Sequence, residues 1–219
     1  EPYTDQLDPV GTPFALASEN LRRLFAASAK DVVIPTDLSQ MEPIDVPDGP
    51  YDGAALVQIA KTHRAVARDP ELVSYYAVWL DGYYEKKGET DENVLGAALP
   101  DYGIVAIFKP AVRTTEIPIL KSVSRFTEQS AFIHEMGHVL GLVDTGLPPV
   151  SDHEDHDHEG HCNNPDCVMF WANEGAGNLR RFAAQLGTSG SDVLFDAACL
   201  ADAEAAAQRM ADGANSGSH

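Results

Sequence analysis

The chain has 219 residues, 34 acids against 15 bases for a formal net charge of −19, and a 44% hydrophobic, 8% aromatic, 22% charged composition. That length and apolar content suit one domain with a real core, and exclude a disordered or fibrous chain. Nucleic acid would need a basic face, an anionic membrane surface would repel the chain, and no run approaches the roughly eighteen apolar residues of a span.

Residues 1–12 read as an irregular arm, and "PFALASENLRRLFAASAK" has helical spacing, with Leu21, Leu24, Phe25 and Ser28 on one face. A short strand is expected at 40–46, closed by the turn signal "PDGP". Asp52 can cap a helix striped by Leu56, Ile59, Ala60, His63 and Ala67. "ELVSYYAVWLDGYYEK" is β-branched and aromatic and reads as a strand. "GIVAIFK", 103–109, is the strongest strand signal in the chain. In "TEQSAFIHEMGHVLGL", Thr127 and Glu128 mark a helix start and Gly141 its end. About thirty residues without apolar periodicity follow, a length that is usually functional or clamped. Helices are then expected at 174–187 and 192–211. This order predicts a single α+β domain. Its parts are an N-terminal arm and helix over 1–38, the main domain over 39–212 and a flexible tail over 213–219.

The chemistry concentrates in "HEMGHVLGLVD", 134–144. Positions four apart on a helix project to one side, so His134 and His138 can present two imidazoles to one ion. Imidazole ligands with one open position suit catalytic zinc. Glu135, one residue along, can take a proton from a zinc-bound water and later deliver it to a leaving amine. A third ligand must approach from another direction, so the helix has to stop, and glycine at 141 makes such a break easily. Asp144 stands three residues on.

The stretch resembles the metzincin zinc peptidases, whose pattern is H-E-x-x-H-x-x-G-x-x-H or -D followed by a methionine in a tight turn. His134, Glu135, His138, Gly141 and Asp144 match it, and Met169 in "CVMFW" is the matching methionine. The likeness covers roughly residues 40–172 and implies a zincin domain: a small mixed sheet, an active-site helix and C-terminal helices. "YGIVAIF" is similar to the edge strand that takes up extended substrate in that clan, by strand addition. "HCNNPDCVM", 161–169, resembles the H-C-x-x-x-x-C-x-M stretch of the archaemetzincins. There the histidine is the third catalytic ligand and the cysteines help to hold a structural zinc. Two departures stand out. About twenty residues separate Gly141 from His161, and the chain offers "DAAC", with Asp196 and Cys199, where the family has C-x-x-C.

Three residues therefore compete for the third ligand position. His161 is preferred because zinc favours imidazole over a short carboxylate; Asp144 has the right distance from Gly141, and His153 is the outside candidate. Cys162, Cys167 and Cys199 admit two readings. They hold a structural zinc, with Asp196, His153 or His158 as fourth ligand, or Cys162 and Cys167 form a disulfide and Cys199 is a buried thiol.

The function expected is a zinc-dependent endopeptidase acting as a monomer on peptide or protein substrates. It would use one catalytic zinc and, on the first cysteine reading, a second structural one. A secreted or cell-envelope location is expected, after removal of a signal or lipoprotein leader. The competing expectation is a non-catalytic, metal-scavenging secreted protein on a degenerate protease fold, motivated by "SDHEDHDHEGHC". A third is self-inhibition by the arm, with Asp5, Asp8, Asp31 or Asp37 reaching the open zinc position.

Overall fold

A computed structural model describes residues 14–28, 30–35, 38–66, 72–116, 122–179, 182 and 193–216. In chain order its elements are α1 (Ala15–Leu24), β1 (Pro50–Tyr51), α2 (Gly53–His63), β2 (Tyr76–Leu80), β3 (Tyr83–Lys86), β4 (Glu89–Asp91), β5 (Gly96–Leu99), β6 (Ile104–Phe108), α3 (Lys109–Arg113), α4 (Ser122–Val139) and α5 (Ala197–Ser216). Short 3-10 turns lie at Leu38–Gln40, Pro100–Tyr102 and Trp171–Glu174. The protein is α+β, with two small mixed sheets and helices around them. Among the described residues no helix is long and apolar enough to cross a membrane.

The sheets are ordered β1-β3-β4 and β2-β6-β5. In the second, β6 runs parallel to β2, pairing Tyr76 with Ile104 through Leu80 with Phe108. It runs antiparallel to β5, pairing Gly96 with Ile107 and Leu99 with Ile104. The 103–109 stretch is thus a strand, but not an edge. It is the centre of its sheet and all five residues of β6 are buried. Both of its ladder sides are already used, so it has no hydrogen-bonding groups left for a substrate strand. The sheet edge on that side is β5.

Asp52 caps α2 as its sequence suggests, with its carboxylate accepting from the backbone N–H of Ala55 at 2.8 Å. The aromatic run over 71–86 divides into β2 and β3. No strand forms at 40–46, where Pro43 and Pro47 lack the N–H a ladder needs. α5 continues to Ser216, through the first residues of the stretch expected as a tail, and 217–219 lie outside the described residues. The arm's Asp5, Asp8 and Asp37 lie outside the described residues, and Asp31 is exposed.

α4 passes between β5 and β6 on one side and α1 and α3 on others. It is therefore buried nearly all round, including Ser124, Thr127, Glu128, Gln129 and Ser130. The helix is already formed at Ser122, so Thr127 lies inside it. Glu128 is no helix-start residue; its carboxylate forms a buried ion pair with Lys109 at the head of α3. α1 belongs to the same core, with Leu16, Ala17, Leu21 and Leu24 packed into it. Polar anchors tie it down: the side chain of Gln129 accepts from Ala17 N–H at 3.2 Å, and that of Asn20 accepts from Leu194 N–H at 2.8 Å.

Removing the negative member of a buried ion pair leaves the other charge poorly compensated. Glu128→Gln should therefore lower stability by about 3–5 kcal/mol in urea melts, whereas Lys109→Met with Glu128→Leu should restore most of the loss. A Glu128→Gln protein as stable as wild type would show that the pair holds nothing together.

Candidate metal centre

α4 delivers the first two imidazoles as its period requires. The Nε2 atoms of His134 and His138 are 3.1 Å apart. Two nitrogens of a tetrahedral zinc site, with bonds of about 2.0–2.1 Å, stand about 3.3 Å apart, so this pair is already spaced for one ion. His134 is fully buried, and its Nδ1–H donates to the carbonyl of Val168 at 2.7 Å, which leaves Nε2 as the free lone pair. Burial holds the pKa of His134 down to about 4 and that of His138 well below the ordinary imidazole value. Both rings are therefore neutral at pH 7, the form a metal needs.

The third imidazole is His161. Its ring centroid lies 5.3 Å from that of His134 and 4.8 Å from that of His138. Its Nδ1–H points to the carbonyls of His158 and Glu159, each at 3.2 Å. Its Nε2 lies 3.0 Å from Oε1 of Glu174. His134, His138, His161 and Glu174 offer ligand atoms that all lie within 4.8 Å of one another, a group able to hold a metal ion.

Asp144 stands outside this group. Gly141 ends α4 with φ 87°, and Val143 and Asp144 follow with φ 53° and 59°. Two left-handed residues in succession, closed by Leu147 N–H donating to Gly141 O at 2.7 Å, turn the chain away from the helix end. Asp144 ends exposed beside a shallow surface cleft with Thr145, Glu154, His156 and Glu159. The loop comes back through bridges of Glu154 with Cys162 and of Cys162 with Phe170, and that return carries His161 to the site.

Met169 is fully buried beneath α4. A Cβ at Gly137, the residue before His138, would collide with its sulfur. Glu135 faces the other wall. A Cβ at Gly96, the first residue of β5, would lie 2.7 Å from Glu135 Cγ and 3.1 Å from its Oε1. Burial, with the nearby charge of Glu174, pushes the Glu135 carboxyl up to about 8. His161 behaves oppositely to its two neighbours. Burial lowers its pKa, but hydrogen bonding and charge from Glu174 outweigh that and raise it.

A second group gathers His153, Cys162, Asp196 and Cys199, also within 4.8 Å of one another. Cys162 Sγ is 3.5 Å from His153 Nδ1 and 3.3 Å from Asp196 Oδ2, while Cys167 and Cys199 bring their sulfurs to 3.6 Å. A disulfide needs about 2.05 Å, and all three thiols are free and buried. Hydrogen bonds from Cys167 and then Cys199 pull the Cys162 thiol far down, while its own thiolate pushes theirs up. His153 Nε2–H donates to Oδ2 of the buried Asp202 at 2.8 Å, and Asp202 Oδ1 accepts from Val150 N–H at 2.7 Å. That bond fixes the tautomer that turns Nδ1 toward the sulfurs. His158 belongs to neither group; it pairs with Asp155 and stacks on Trp171 at 4.0 Å. His156 is exposed and pairs with Asp152.

Glu174 and Asp202 have no sequence signature. Glu174 is one acid among 34, five residues past Met169 where the recognisable spacing ends, and Asp202 sits in an alanine-rich helix where its burial is not foreseeable. No protein-family model matches the chain, and no curated protein or solved structure matches it.

The geometry separates the ligand candidates by experiment. His161→Ala should weaken uptake of a divalent metal by more than the roughly 10–100-fold that loss of an outer partner costs. Asp144→Asn, which tolerates the left-handed turn, should leave affinity unchanged. Chelator competition would read both, and a loss confined to Asp144→Asn would contradict the assignment.

Proposed function

We propose that the protein is a zinc-dependent endopeptidase of metzincin-like build. The observation that carries this is the convergence of three imidazoles, two neutral and ready to ligate, beside a buried carboxylate at the end of an open sheet edge. The donor set suits zinc: nitrogen ligands, near-tetrahedral spacing and no requirement for redox chemistry. When bound, the ion supplies a Lewis acid that polarises the scissile carbonyl and makes water a nucleophile near neutral pH.

The chain's own residues supply the rest. Glu135 in its carboxylate form, made a stronger base by its burial, can accept the proton of the attacking water and pass it to the leaving amine. The Val168 carbonyl keeps His134 oriented, and Met169 supports α4 beneath both helix ligands. β5 is the edge along which an extended peptide would pair, and Gly96, without a side chain, gives the reacting bond room beside Glu135. The second group, with sulfur and imidazole donors buried between loop and α5, is suited to a structural zinc that clamps the long loop. One observation favours the competing reading of a metal-holding protein without hydrolysis: Glu174 stands among the imidazoles, at the position a reaction would need open.

The test is cleavage of a mixed peptide library by zinc-loaded protein. Glu135→Gln should reduce cleavage by about 10²–10⁴-fold with zinc content unchanged. Equal cleavage by Glu135→Gln would overturn the mechanism. Zinc-loaded protein that cleaves nothing, with Glu174 intact or replaced by alanine, would leave the metal-holding reading.

A further inference from the structure

We propose that Glu174 is a fourth protein ligand of the His134–His138–His161 centre, and that the Trp171–Gly175 segment closes both the metal and the start of the β5 edge in the resting protein. This rests on the metal centre of the preceding reading, but it concerns a residue and a segment that the peptidase pattern does not include.

The first observation is which nitrogen Glu174 addresses. A carboxylate that merely orients a ligating histidine takes the ring nitrogen remote from the ion. On His161 that nitrogen, Nδ1, is already occupied by the carbonyls of His158 and Glu159. Glu174 instead meets Nε2, at 3.0 Å. Nε2 is the nitrogen left for a metal, and 3.0 Å is close to the about 3.3 Å edge of a zinc tetrahedron. An ion placed among the three imidazoles therefore has this carboxylate oxygen as its fourth neighbour.

The second observation is independent and concerns the backbone. Leu95 N–H donates to the carbonyl of Glu174 at 3.4 Å, and Val94 forms an antiparallel bridge with Gly175. Leu95 also accepts from Phe108 N–H on β6 at 2.9 Å, so this one residue joins the backbone of the Glu174 segment to the sheet. Glu174 and Gly175 lie against the residues that lead into Gly96. The turn is held from below as well, with the buried Asn173 side chain donating to the carbonyls of Cys167 and Val168 at 3.0 and 3.1 Å. The carboxylate is thus presented by a segment anchored to the methionine turn on one side and to the sheet edge on the other.

Together these describe a latent centre. A peptide that extends its pairing along β5 past Gly96 competes with the Val94–Gly175 bridge, and breaking that bridge withdraws the carboxylate from the ion. Substrate binding and opening of the fourth position become one event. A short ligand that does not reach Val94 leaves Glu174 in place.

Cobalt(II) in place of zinc reports coordination directly, in the full-length chain, by visible absorption with azide as a small anionic probe. In wild type the cobalt spectrum should not respond to azide, because the fourth position is filled. In Glu174→Ala it should change on azide addition, and chelator competition should show cobalt binding weakened by more than the roughly 10–100-fold that loss of an outer partner costs. Glu174→Gln, nearly the same shape, guards against a folding defect and should respond to azide in the same way. A wild-type spectrum that shifts with azide as the variants' spectra do would overturn the proposal, since the position would then be open. Wild type that takes up no cobalt would sink the metal centre itself. Peptide cleavage is read separately: it should rise in Glu174→Ala, and its absence in every variant would count against the peptidase reading and not against Glu174 as ligand.

Discussion

The site depends on how closely the Val168–Met169 segment packs under α4. Gly137 has no side chain, so the methionine sulfur can lie against the helix backbone between His134 and His138. That approach puts the Val168 carbonyl at His134 Nδ1 and selects the tautomer with Nε2 free. It also fixes where the returning loop must run. Cys162 N–H donates to Met169 O at 2.8 Å, and His161 is the residue just before it. One contact between a glycine and a methionine therefore orients one ligand and delivers another. A larger residue at 137 would have to displace Met169, and the loop with it.

The 150–170 loop is held by two groups of side chains rather than by a core of its own. His161 faces α4, while Cys162, next along, faces α5 through Asp196 and Cys199. His153 joins the second group and is fixed by Asp202 from α5. A long stretch without apolar periodicity is thereby ordered by polar and sulfur contacts, which an ion at either group would strengthen, since binding free energy of a metal is also folding free energy. The −19 charge fits the same picture, because an acidic surface raises the local concentration of cations.

Much of the fold was legible where local chemistry decides it. The Asp52 cap, the pairing of the two α4 imidazoles and the Gly141 stop follow from spacing and backbone preference. What the sequence concealed was set by neighbours. Five consecutive apolar residues at 104–108 mark a strand covered on both faces. That already argued for a central place, yet the likeness to a substrate-binding edge pointed the other way, and the pairing of β6 with both β2 and β5 decides it. Thr127 and Glu128 lie inside α4, where Glu128 serves Lys109 and not a helix end. Which side chain joins the two helix imidazoles turned on two φ angles, at Val143 and Asp144, which spacing alone does not contain. Glu174 owes its position to a bridge 80 residues back in the chain, between Gly175 and Val94; no local pattern could announce it.

The central claim is that His134, His138 and His161 share one ion. Diffraction from crystals of the zinc-loaded protein, recorded on both sides of the zinc absorption edge, tests it most directly. The account predicts an anomalous peak about 2.0–2.1 Å from a nitrogen of each of these three imidazoles. It also predicts a second peak among Cys162, Cys199 and His153. A crystal with no peak between the three imidazoles, or with one that Asp144 and not His161 completes, would contradict it.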